Sequence, residues 1–115
     1  MRTTVIIAAV LAAFALSACG SGSPDEACPS PTEGTSVEMA DFSYAPACLA
    51  VDAGASIELR NSGEAPHTFT VSESEIDVEV AAGATDTVDL AGLAAGTYEV
   101  TCTLHPQMTG AIQVR

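Results

Sequence analysis

The run Thr101-Cys-Thr-Leu-His-Pro-Gln-Met108 places a thiol, an imidazole and a thioether at positions i, i+3 and i+6. A second imidazole, His67, stands in Glu64-Ala-Pro-His-Thr-Phe-Thr70, and with His105 it completes the histidines of the chain. Thiolate and thioether favour copper(I), imidazole also suits copper(II), and a His₂Cys set with a weak axial Met is the arrangement of copper electron-transfer centres. Structural zinc more often draws on further Cys or His for its fourth position. Haem attachment lacks its C-x-x-C-H run. Singly, each residue has an ordinary reading: a surface or core histidine, a core methionine, a buried free thiol. Jointly, the spacing points to His67, Cys102, His105 and Met108 as ligands of one copper ion per chain.

Such donors need short loops held by rigid elements, and the sequence from Ser36 onward supplies a period near two. Val37 and Met39 alternate with polar or small neighbours, as do Ile57 and Leu59, Phe69 and Val71, and Ile76, Val78 and Val80. Val88 and Leu90 flank Asp89, Tyr98 and Val100 flank Glu99, and Ile112 and Val114 flank Gln113. Asp52-Ala-Gly54, Asn61-Ser-Gly63, Ala82-Gly83 and Ala95-Gly96 punctuate these runs as turns. Seven or so short strands, with no stretch periodic enough to demand a helix, predict an all-β sandwich. Cys102 then ends one strand and Ile112 begins the next, so three of the four donors share a connecting loop. The aromatic core is thin, and a cross-link or bound metal helps a domain this small.

The beginning of the chain reads differently. Arg2 precedes an uncharged apolar stretch, of which Val5 to Ala18 is too short for a bilayer span. Leu16-Ser17-Ala18-Cys19 resembles the bacterial lipobox, in which the cysteine becomes the lipidated first residue. The expected division is a lipoprotein signal peptide at 1–18, a Gly/Ser/Pro-rich flexible tether at 19–35 and the copper domain at 36–115. An ordinary signal peptide cut near Ala18, or an uncleaved short anchor, is the alternative. The expected location is outside the cytoplasm, on a bacterial membrane, periplasmic or at the outer cell surface. Cys19 fits lipidation and Cys102 a metal ligand, which leaves Cys28 and Cys48 either paired or as separate thiols. A bridge between them is worth about 3 kcal/mol by loop entropy.

Fifteen carboxylates face three strong cations, for a formal charge of −12. Loss of residues 1–18 removes Arg2 and takes this to −13. That surface excludes nucleic acid as a partner, because phosphates call for Lys and Arg. It fits a monomer and a basic redox protein partner, with membrane attachment resting on the lipid at Cys19.

The segment from about Val37 to Arg115 resembles the cupredoxins, small blue-copper proteins that include plastocyanin, pseudoazurin and amicyanin. The resemblance rests on the C-x-x-H-x-x-M spacing, Asn61, Pro66-His67, Ala95-Gly-Thr-Tyr98 and Gly110. It implies a Greek-key β-sandwich of eight strands with copper at one end. It also implies His67, Cys102 and His105 as strong ligands, Met108 as the weak axial one, and Asn61 as a brace between the ligand loops. Where several relatives have Pro, this chain has Leu104, whose N–H is available to the Cys102 sulfur and is expected to raise the potential. From Val100 to Val114 there is no charged side chain, so Leu104, Pro106 and Met108 form either an uncharged docking rim around His105 or an inward-facing sheet end. A one-electron carrier is the expected function. Copper storage, buffering or delivery is the alternative, and an enzyme is not expected, because four protein ligands leave no open position.

Overall fold

The computed structural model describes residues 28–115, and the leader and lipobox of the sequence reading lie outside them. Ten strands occur among the described residues: β1 (Thr32–Glu33), β2 (Ser36–Ala40), β3 (Ser43–Ala45), β4 (Cys48–Val51), β5 (Ser56–Asn61), β6 (His67–Val71), β7 (Asp77–Val80), β8 (Thr85–Asp89), β9 (Gly96–Thr101) and β10 (Thr109–Val114). They form a six-stranded sheet in the order β1-β4-β10-β9-β6-β7 and a four-stranded sheet in the order β3-β2-β5-β8. The fold is an all-β, Greek-key-like sandwich with no helix among the described residues.

Alternation explains the inner faces. Val37 and Met39 of β2 and Ile57 and Leu59 of β5 are buried from one sheet, opposed by Phe69 and Val71 of β6, Val100 of β9 and Ile112 and Val114 of β10. Their neighbours Glu38, Glu58 and Arg60 stay in water. Each sheet thus buries its apolar face against the other, the requirement that makes a sandwich stable.

Strand β4 departs from that pattern. Cys48, Leu49, Ala50 and Val51 are all buried, because β4 lies inside the sheet, parallel to both β1 and β10. A strand covered on both faces reads as a continuous apolar run rather than an alternating one. Its outer face is covered by Cys28, which is disulfide-bonded to Cys48 with Cα atoms 5.4 Å apart and packs with Ala111. The pairing left open by the sequence is therefore formed. Residues 28–35, expected within the flexible tether, are part of the fold: Cys28 is buried, and Thr32–Glu33 pairs with Leu49–Ala50. The polar composition of that stretch belongs to an edge strand, where polar side chains face solvent.

Candidate metal centre

The donors converge at one end of the sandwich. Cys102 follows β9 directly, Met108 precedes β10, and the residues between them make two tight turns. His105 N–H donates to Cys102 O at 3.2 Å and Met108 N–H to His105 O at 2.8 Å. Cys102 N–H donates back to Met108 O at 3.1 Å and closes the loop. The spacing of three is therefore that of two successive β-turns, each closed by an i to i+3 hydrogen bond, with Pro106 at the position that suits its fixed φ.

His67 opens β6, opposite Val80 of β7, and its ring is wholly buried. Its Nδ1 lies 3.9 Å from Cys102 Sγ, and His105 Nδ1 lies 3.7 Å from the same sulfur. The three donor atoms all fall within 4.8 Å of one another, a cluster able to hold a single metal ion. Met108, buried at 1 % exposure, stands at the end of the same loop.

The sulfur is prepared for a cation. Burial pushes the Cys102 thiol up, but the Thr68 N–H at 3.3 Å, the two imidazoles and the Leu104 amide together outweigh it and bring the pKa from 9.0 to about 6. Thr68 donates the defined hydrogen bond to the sulfur; the Leu104 amide adds a weaker pull. Thiolate is the metal-binding form, so this environment suits a soft cation. Thr68 is also tied into the loop by its hydroxyl, which accepts the Thr103 N–H at 2.8 Å, and to Tyr44, whose hydroxyl donates to Thr68 O at 2.6 Å.

Asn61 has the bracing geometry that the family resemblance implied. Its Nδ2 donates to Ala65 O and Val80 O, both at 2.9 Å, while its Oδ1 accepts the Gly63 N–H at 2.9 Å. One buried amide therefore joins the loop before His67 to the strand opposite it.

The rim differs from the sequence expectation. Leu104 is 47 % exposed, with Pro106 and Gln107 also in solvent, but Met108 is buried because its turn points it inward. Its place at the surface is taken by Phe42, 49 % exposed, whose ring centre lies 4.7 Å from that of His105 and 6.0 Å from that of His67. Sequence reasoning missed Phe42 and its neighbour Asp41. Both sit in the β2–β3 turn, and the only signal was an aromatic residue stranded among polar ones.

The chain matches the model of the cupredoxin-like domain family over residues 5–114. The chain belongs to that family. No curated protein sequence matches this cupredoxin at a significant level. Among solved structures it is similar to a purple cupredoxin from Nitrosopumilus maritimus, at 15 % identity and a TM-score of 0.61, covering 71 % of this chain and 100 % of that one. A reduced amicyanin variant gives 25 % identity and a TM-score of 0.59, covering 71 % of this chain and 82 % of the other. A copper-containing nitrite reductase from Thermus scotoductus gives 20 % identity and a TM-score of 0.60 over 77 % of this cupredoxin, which spans only 26 % of that chain. At such identities the structural likeness concerns the fold, and the donor geometry has to carry the chemistry.

Proposed function

We propose that the protein is a type 1 copper protein that carries single electrons outside the cytoplasm, with His67, Cys102 and His105 as strong ligands and Met108 as the weak axial one. The observation that carries this is the convergence of one donor atom each from His67, Cys102 and His105 within 4.8 Å, with both Nδ1 atoms turned to the sulfur. A copper ion held there supplies a one-electron couple. The chain's own residues hold the donors in place: two closed turns fix Cys102, His105 and Met108, and Asn61 fixes the loop before His67. Preorganised donors move little when the ion changes charge, which suits transfer over turnover of a substrate.

Amicyanin variants, solved in an oxidised state and in a Cu(I) state, share the fold and support the same reading. The uncharged side chains of Phe42, Leu104, Pro106 and Gln107 beside His105 suit brief docking of a redox partner, with the exposed carboxylates of the domain attracting a basic one. The reading extends to a monomer, a signal peptide at residues 1–18, a lipidated Cys19 and a tether that ends before Cys28. The lipobox-like run and the disulfide, which suits an oxidising compartment, support this part.

The optical spectrum of the copper-loaded protein tests the function. Intense blue absorption that bleaches on reduction, with fast self-exchange, is expected. A colourless site that surrenders copper to a chelator would overturn the carrier in favour of metal storage or delivery. Mass spectrometry of the membrane-extracted protein tests the lipid: an unmodified Cys19 sinks it.

A further inference from the structure

The β2–β3 turn lies far from every ligand in sequence, yet its Asp41 reaches the site. The Asp41 carboxylate accepts hydrogen bonds from the Glu64 N–H at 2.8 Å, the Ala65 N–H at 3.3 Å and His67 Nε2–H at 2.8 Å. Two of these come from the loop that delivers His67, and the third from the ligand itself. An ionised carboxylate only accepts, so the imidazole proton belongs on Nε2 and the Nδ1 lone pair is left facing Cys102 Sγ.

The approach depends on Gly63. A Cβ there would sit 2.8 Å from Asp41 Cγ and 3.1 Å from its backbone nitrogen, and would also meet Oδ1. The β5–β6 loop therefore has a gap at the place where the carboxylate enters. The Asp41 side chain keeps 28 % exposure while the His67 ring beneath it has none.

We infer that Asp41 is a positioning residue of the metal site, fixing the tautomer and ring angle of His67 and setting a negative charge one imidazole away from the ion. Groups that hydrogen-bond the far nitrogen of a ligand histidine orient the ring and raise its basicity. A carboxylate in that place favours the more highly charged oxidation state, so Asp41 lowers the potential. This rests on the copper reading for its redox part, and on the Asp41–His67 bond alone for its positioning part.

The test compares Asp41→Asn, Asp41→Ala and Glu64→Gln in the full chain. Asn retains an acceptor for His67 without the charge, so Asp41→Asn is expected to keep copper and shift the midpoint potential upward. Glu64→Gln removes an exposed carboxylate from the same loop and is expected to shift it less. In the metal-free protein, nitrogen NMR is expected to show a protected His67 Nε2 proton, lost in Asp41→Ala. A shift in Asp41→Asn that is downward, or no larger than that of Glu64→Gln, overturns the inference. So does a His67 proton that stays equally protected in Asp41→Ala. A wild-type protein that takes up no copper would instead sink the functional reading, and the NMR result would still decide whether Asp41 positions His67.

Discussion

His67 and His105 present the same atom, Nδ1, to the same sulfur, and the molecule treats them in opposite ways. His67 is wholly buried at the start of a strand, bonded at its far nitrogen by Asp41 and approached by a loop that Asn61 braces. His105 is half-buried on a turn, with the ring of Phe42 beside it and exposed Leu104 next in sequence. One imidazole is a fixed wall and the other a window. A site that must keep its geometry and still exchange electrons with a visiting protein needs both, and separating them between two histidines lets each be optimised alone.

Replacing each histidine by glycine breaks the comparison most directly. Both variants should lose the blue absorption of the copper-loaded protein. Added imidazole should restore it in His105→Gly, where the gap opens to solvent, and fail in His67→Gly, where it is enclosed. Equal rescue, followed by optical titration, would contradict the distinction between wall and window.

Asn61→Ala attacks the wall without touching a ligand. One buried carbonyl, one part-buried carbonyl and one N–H lose a partner, which should cost about 2–3 kcal/mol in denaturant unfolding. Metal affinity should fall about 10- to 100-fold, as is common when outer groups around a ligand are removed. Unchanged affinity in a folded variant would mean that Asp41 holds His67 unaided.

The sulfur between the two histidines can be followed by pH in the metal-free protein. Its folded pKa of about 6 lies below the ordinary thiol value of 9.0, so the unfolded chain binds more protons between those limits. Stability of the metal-free domain should rise with pH across that window, and this contribution should disappear as pH falls through 6. Thiolate absorbance in the ultraviolet, read beside chemical denaturation, checks both; a midpoint near 9 would show that the environment does not favour the anion.

The smallest effect is expected at the window. Leu104→Pro removes an amide that pulls on the Cys102 sulfur while leaving the Thr68 bond in place. The midpoint potential should fall modestly, and an unchanged or higher value in voltammetry would exclude a role for that amide.

Much of this was legible in the sequence, for identifiable reasons. Strands covered on one face announce themselves by alternation, as β2, β5, β6 and β10 do. The two turns of the ligand loop show in the spacing of Cys102, His105 and Met108. Strand β4 did not announce itself, because a strand buried on both sides loses the period-two signal. Asp41 and Phe42 were hidden for a different reason: a side chain that acts from a neighbouring hairpin leaves no local pattern near the residue it serves. For Met108 the sequence leaves both rim and inward-facing sheet end open, since an uncharged run fits both; the direction of a side chain within a tight turn is set by backbone geometry that the sequence does not display.

The pairing of β10 has a kinetic consequence. This strand lies antiparallel to β9, close in the chain, and parallel to β4, whose residues come some sixty positions earlier: Ala111 meets Cys48 and Val114 meets Val51. Contacts of such long sequence separation form slowly, because the loop must close before the strand is rewarded. The ligand loop sits between β9 and β10, so its final shape waits on the search of β10 for β4. An ion that meets the closed set of donors therefore meets a sandwich in which β4 and β10 have already paired.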